Sequence, residues 1–96
     1  MIIADIAVMP LIPCRTEEDM YSVVDEVIKI IQESGLKYEV GAMSTTVEGE
    51  FDEVMDIVKT CHKLPFELGI DRVITVVRID EKRNGLTIDD KLSHYR

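Results

Sequence analysis

Hydrophobic residues recur along this chain with two different periods, and the change of period predicts where strands and helices lie. Almost every position from Met1 to Met9 is apolar, which is typical of a strand covered on both faces, and Pro10 is expected to end that strand. After Thr16, a favourable N-cap residue, apolar positions follow helical spacing until Gly35. This first helix is predicted to bury one stripe, made of Met20, Val23, Val24, Val27, Ile28 and Ile31.

The rest of the chain repeats the alternation of strands and helices. Residues 37–43 and 44–48 are predicted to be two β segments joined as a hairpin. Helical spacing returns over residues 51–62, and the β-branched run 72–80 predicts a final strand. Residues 87–90 have the composition of a helix cap, so a short C-terminal helix is expected after that strand.

The order βαββαβ predicts an α+β fold of ferredoxin-like type, with a four-stranded antiparallel sheet and both long helices on one face. Residues 1–96 form a single domain in this interpretation. The opposite face of the sheet is then bare, and an aliphatic sheet face in water predicts an interface or a ligand floor, hence a homo-oligomer. The residues expected to point away from the helices are Ile3, Asp5, Ala7 and Met9 in the first strand and Ile74, Val76, Arg78 and Asp80 in the last.

Composition narrows the functional classes. The chain is 46% hydrophobic but has no tryptophan and only 5% aromatic residues, so its core must be aliphatic. A net charge of −8 disfavours nucleic acid and anionic membrane surfaces as partners and suits a neutral or cationic ligand, although acidity alone often serves only solubility. The chain lacks both a basic leader before its first strand and a long apolar run, so a soluble, cytoplasmic protein is expected.

Asp5 is the most informative single residue, because a carboxylate on an otherwise aliphatic strand needs a partner to stay charged. Arg78, on the neighbouring strand of the expected topology, could supply that partner in a structural ion pair. The alternative is that Asp5 faces a ligand.

The segment from Ser44 to Gly49 places three hydroxyls and a carboxylate in and beside one strand. Thr46 and Glu48 share a face of that strand and could grip a polar heterocycle. The alternative interpretation is ordinary β-propensity followed by a helix-capping acid, either Glu48 or Glu50.

Neither the cysteines nor the histidines form a recognisable metal or catalytic motif. Cys61 falls on an apolar stripe and is expected in the core, and Cys14 lies in a loop far from it in sequence. His62 and His94 are isolated, so no metal and no cofactor are expected. An enzyme would have to use Asp5 or Glu48, for which no catalytic spacing exists.

Several short segments together resemble the small thiamine-binding proteins, a ferredoxin-like family, over nearly the whole chain. The most specific is Thr45-Thr46-Val47-Glu48-Gly49. The others are the opening strand with Pro10, Gly35-Leu36 with Tyr38, Met43-Ser44, Glu50, Gly69, and Arg72-Val73 running to Ile79-Asp80.

The resemblance implies subunits that pair through their sheets into dimers or tetramers, with thiamine or a thiamine precursor held non-catalytically between subunits near the hairpin. Thr45, Thr46 and Glu48 match the family segment and are the implied ligand-binding residues. The candidate walls are Met9, Met43 and Tyr38, with Asp5 as a further candidate ligand residue. The alternative function is a homo-oligomeric regulatory module that responds to another metabolite or to a partner protein.

Overall fold

The computed structural model describes residues 1–95 and confirms the predicted order of elements. One antiparallel sheet has the strand order β2-β3-β1-β4, so β1 is central and the fold is ferredoxin-like α+β. None of the helices in the described part of the chain is long and apolar enough to cross a membrane. The elements are β1 (Ile2–Ile12), α1 (Glu17–Glu33), β2 (Lys37–Val40), β3 (Thr45–Gly49), α2 (Phe51–Glu67), β4 (Arg72–Asp80) and α3 (Ile88–Leu92).

The prediction that Pro10 ends the first strand is wrong. β1 continues to Ile12, and Pro10 lies opposite Val73 of β4, with a register shift just beyond it. Proline is tolerated here because β3 pairs with β1 only as far as Ile6, so the following residues of β1 have one unpaired edge where a missing N–H costs no ladder bond. This free edge of β1 is the structural origin of the pocket described below.

The face of the sheet beneath α1 and α2 carries the main core and is called here the helix-side face. Ile2, Ala4 and Ile6 of β1 and Val47 of β3 are buried there. Against them pack Val27, Ile31, Val54 and Cys61, which are also buried. Each fully buried aliphatic side chain contributes about 1.5–3 kcal/mol, so this contiguous cluster is the main source of stability.

Local hydrogen bonds define the start of α1 and the turn of the hairpin. The hydroxyl of Thr16 accepts a 3.1 Å hydrogen bond from the Asp19 backbone N–H, which caps α1 as the sequence predicted. The hairpin between β2 and β3 is also present, and it is closed by a 2.8 Å bond from the Gly41 N–H to the Ser44 carbonyl. Its strands are shorter than predicted, because residues 41–44 form the turn.

The opposite side of the sheet is called the outer face, and it is only partly bare. Residues 81–95, called here the C-terminal strap, fold back across it, and Leu86 and Ile88 bury Ile3 in a second small cluster with Leu92 alongside. The predicted short helix is α3, whose Thr87 and Asp90 form a reciprocal capping box. The expectation of a wholly uncovered outer face is therefore wrong at one end, because the chain covers that end itself.

Candidate functional site

A pocket of about 240 Å³ opens at the free edge of β1, between α1 and the turn of the hairpin. It exists because β1 extends past Thr45, the first residue of β3, leaving a gap that α1 covers from one side. We call it the edge pocket. The residues that line it include Met9, Met20, Tyr21, Met43, Ser44 and Thr45.

The two threonines of the family segment lie on opposite faces of β3. Thr45 pairs with Ile6, is buried, and lines the edge pocket. Thr46 pairs with Asp5 and points to the outer face. The two hydroxyls cannot hold the same ligand within one subunit, because alternate residues of a strand project in opposite directions.

A second and larger space of about 440 Å³ lies between the outer face and the C-terminal strap. We call it the outer cleft. Asp5, Thr46 and Arg78 are on its sheet side, and Ile88, Lys91 and Leu92 are on its strap side.

Four charged side chains that line the outer cleft form two ion pairs, and a fifth charged residue, Glu39, lines the cleft opposite Thr46 of β3. Arg78 donates a hydrogen bond to the carboxylate of Asp5, which confirms the predicted ion pair. Lys91 Nζ lies 2.6 Å from Asp80 Oδ2 and ties the strap to the end of β4.

Glu48 is buried and binds the C-terminal strap through a hydrogen bond. Its Oε1 accepts a 2.6 Å hydrogen bond from the backbone N–H of Ile88, at the first turn of α3. The capping role considered for this segment is therefore present, but for α3 and not for α2. Glu50, the other capping candidate, occupies the N-cap position of α2 without a side-chain cap bond.

The structure thus separates the seven candidate residues. Met9, Met43 and Thr45 meet in the edge pocket, and Asp5 and Thr46 meet in the outer cleft. Glu48 anchors the strap beside that cleft, while Tyr38, on the edge strand β2, lines neither space.

Sequence reasoning missed Tyr21 and the backbone edge of β1 as parts of a site. Tyr21 lies in the first helical turns, off the apolar stripe, where nothing distinguishes it from a surface residue. The edge of β1 had a signal in Pro10, since a proline inside a strand implies an unpaired edge.

The remaining titratable candidates have structural surroundings. Cys61 lies in the core as predicted, and burial raises the pKa of its thiol to about 11, so it is a poor nucleophile. His62 is hydrogen-bonded to Thr75 across a 2.6 Å gap between α2 and β4. Within residues 1–95, no group of three or more His, Cys, Asp or Glu side chains could hold a metal ion.

Within residues 1–95, the structure is a ferredoxin-like α+β domain with an apolar pocket at the edge of β1. The particular family follows from sequence comparison. The family model described as thiamine-binding protein matches residues 4–96, and the chain belongs to that family.

Individual relatives agree with this assignment. The chain is 42% identical over 88 residues to a UPF0045 protein of Clostridium perfringens, covering 92% of this chain and 93% of that protein. It superposes with a TM-score of 0.90 on a DUF77 domain from Bacillus cereus, at 40% identity, covering 99% of this chain and 89% of that one. For a candidate thiamine biosynthesis/salvage protein from Thermotoga maritima the TM-score is 0.86 at 39% identity, covering 99% of this chain and 98% of that one.

Proposed function

We propose that this protein is a non-catalytic binder of thiamine or a thiamine precursor, with the ligand's pyrimidine ring in the edge pocket. The family match over residues 4–96 carries the proposal. The relation to the candidate thiamine biosynthesis/salvage protein of Thermotoga maritima supports the same ligand class.

The edge pocket suits an aminopyrimidine better than the outer cleft does. Methionine and tyrosine side chains offer flat or adaptable apolar walls, and Thr45 and Ser44 add hydroxyls. The free edge of β1 adds backbone N–H and C=O groups, which complement the adjacent donor and acceptor of an aminopyrimidine. In the outer cleft the same ring would have to compete with ion pairs that are already formed.

A second copy of the chain would complete the site. The edge pocket, at about 240 Å³, is smaller than the usual range of about 300–1,000 Å³ for small-molecule sites. Met43 beside it is 90% exposed and Met9 is 40% exposed, so both offer apolar surface to another subunit. A homodimer or homotetramer would place such a surface over the pocket and bury both side chains.

The charge of the protein favours free thiamine over its pyrophosphate ester. The thiazolium cation is attracted by a net charge of −8, whereas a pyrophosphate group adds negative charge and meets no phosphate-binding loop in this sequence. We therefore expect the ester to bind more weakly than thiamine, and equal or tighter binding of the ester would contradict the proposal.

Thermal unfolding with thiamine, thiamine pyrophosphate and the separate pyrimidine and thiazole halves tests the ligand class. A ligand at a hundred times its Kd adds about 2.7 kcal/mol, which raises the Tm of a domain this size by roughly 10 °C or more. We expect such a shift with thiamine and with the pyrimidine half. If none of the four compounds raises Tm, the thiamine proposal is wrong.

The adjacent threonines provide a matched pair of variants that tests the position of the site. Thr45→Val removes a hydroxyl from the edge pocket and is expected to weaken thiamine binding by about tenfold, measured by calorimetry. Thr46→Val removes a hydroxyl from the outer face and should leave the Kd unchanged. The reverse result, or loss of binding only in Glu48→Gln, would place the ligand on the outer face.

The second candidate function is a homo-oligomeric regulatory module, and the exposed part of the outer face favours it. Ile74 and Val76 of β4 are 43% and 46% exposed, and they lie opposite Met9 and Ala7 of β1. We call these four residues the outer strip, and it suits contact with a second copy. Sedimentation of the protein and of Val76→Lys tests this function: a lysine there should dissociate an oligomer whether or not thiamine binds.

A further inference from the structure

The outer cleft has the features of a second ligand site, separate from the edge pocket. We propose that it binds a small zwitterion, a free α-amino acid with an aliphatic side chain. Its volume of about 440 Å³ is within the usual range for small-molecule sites, which the edge pocket is not.

The pairing of the cleft's charges determines the class of ligand. Asp5 is paired with Arg78, and Asp80 is paired with Lys91. A guest with one charge would replace one ion pair by another and leave the displaced member without a partner, so it would gain little over the pair already present. A guest carrying both an ammonium and a carboxylate can satisfy both members, so a zwitterion is favoured over a simple amine or a simple acid.

The unequal exposure within the first pair orients that guest. The side chain of Asp5 is 22% exposed, whereas that of Arg78 is 78% exposed. The ammonium group is therefore expected deep in the cleft against Asp5, and the carboxylate outside against Arg78. A guanidinium has five N–H donors and can hold a guest carboxylate while still facing Asp5. Thr46, directly opposite Asp5 in the register, adds a hydroxyl at the same depth.

The apolar side of the cleft explains the preference for an aliphatic side chain. Ile3, Ile88 and Leu92 line it, and the first two are nearly fully buried. The hydrogen bond from the Ile88 N–H to Glu48 holds this wall at a fixed distance from the sheet. A branched side chain such as that of leucine would bury its hydrocarbon against these residues.

Three compounds with the same hydrocarbon body test the class of ligand. L-Leucine carries both charges, 3-methylbutylamine carries only the cation, and 4-methylpentanoate carries only the anion. We expect leucine to shift the amide resonances of Thr46 and Ile88, and the Kd of each analogue to be at least about tenfold higher, because each lacks one charge-assisted hydrogen bond. The proposal is overturned if either analogue binds as well as leucine, or if leucine leaves both resonances unchanged at millimolar concentration.

Two arginines of β4 locate the site. Arg78→Gln should raise the Kd of leucine by about tenfold or more, since it removes the cation that receives the carboxylate. Arg72→Gln is the control, because Arg72 is also exposed on β4 but does not line the cleft. Equal loss or equal retention of binding in the two variants would contradict the assignment.

The leucine measurements test the outer cleft separately from the thiamine proposal. Thr45→Val should weaken thiamine binding and leave leucine binding unchanged, because Thr45 is on the other face of β3. If thiamine does not bind at all, the leucine result still decides the nature of the outer cleft. If leucine shifts the resonances of Met20 and Met43 instead of those of Thr46 and Ile88, it binds in the edge pocket and the second site does not exist.

Discussion

The two faces of this sheet are built from the same strands but differ in how they are completed. On the helix-side face, Ala4 and Ile6 of β1 meet α1 and α2 in a continuous aliphatic core. On the outer face, Asp5 between them is ion-paired to Arg78, and only the end near Ile3 is covered by the strap. The chain therefore completes one face by itself and leaves the other partly open.

This difference predicts that substitutions on the two faces of the sheet have different effects on stability. The helix-side core is apolar and nondirectional, so it fixes which way each strand faces. The outer face uses paired charges and one buried carboxylate, Glu48, each of which depends on a particular partner. We therefore expect substitutions in the helix-side core to lower stability more than substitutions on the outer face do.

The largest predicted contrast uses the same substitution on the two faces. Ile31→Ala removes a side chain that is 1% exposed in the core and should lower the free energy of unfolding by about 2–5 kcal/mol. Ile74→Ala removes one that is 43% exposed in the outer strip and should change it by less than about 0.5 kcal/mol in the monomer. Urea unfolding at low protein concentration measures both values.

A large loss of unfolding free energy in Ile74→Ala would contradict the expected difference between the two faces. It would mean that the outer strip is buried under the conditions used, as it would be in a tight dimer. Repeating the measurement over a hundredfold range of protein concentration then distinguishes an interface from a monomer core, because only an interface gives concentration-dependent stability.

The second contrast concerns the strap. Glu48→Ala leaves the buried N–H of Ile88 without its acceptor and should cost about 1–3 kcal/mol. Glu50→Ala is the control, since Glu50 is exposed and makes only a 3.7 Å contact with the N-terminal ammonium, so its loss should cost less than about 1 kcal/mol. Hydrogen exchange at Ile88 should accelerate in the first variant and not in the second.

How much of this molecule could be predicted from its sequence follows from the same division. The helix-side core was predictable, because periodicity places Ile31 on the buried stripe of α1 and puts Ile6 on the face of β1 that the helices cover. The Asp5–Arg78 pair was also predictable, because the strand order makes their strands neighbours. Both inferences needed only the topology and the alternation of side chains.

The edge pocket and the strap required information that periodicity does not contain. The pocket forms because β1 continues beyond its pairing with β3, which stops at Ile6. The length of β1 could not be predicted, because the local propensity of Pro10 indicates a strand end there. The position of the strap depends on the hydrogen bond from the Ile88 backbone N–H to Glu48, two residues 40 positions apart in the sequence. A sequence pattern identifies Glu48 as unusual but cannot specify which N–H it accepts from.

The third prediction concerns the pH dependence of stability that comes from Cys61 in the helix-side core. Because burial raises the pKa of Cys61 from 9.0 to about 11, the folded state holds its thiol proton more tightly than the unfolded state does. Its stabilising contribution is complete below pH 9 and is lost as pH rises towards 11, by about 1.4 kcal/mol at pH 10.

Urea unfolding of the parent protein and of Cys61→Ala at pH 8 and pH 10 isolates this effect. The difference between the two proteins should shrink by that amount at the higher pH, since alanine cannot titrate. An unchanged difference for Cys61→Ala would show that its thiol is accessible to water.

The smallest predicted effect is the loss of the ion pair on the outer face. Arg78→Gln should lower the free energy of unfolding by less than about 1 kcal/mol, because the Arg78 side chain is 78% exposed and water can replace it at Asp5. Arg72→Gln, on the same strand, measures how much the loss of an exposed arginine outside the pair changes the free energy of unfolding. A cost above about 2 kcal/mol would mean that the pair holds β1 and β4 together, and any loss of leucine binding in Arg78→Gln would then report a disturbed sheet. A small cost would mean that Arg78 is not needed to hold the sheet together, so that it can also receive a guest carboxylate while it faces Asp5.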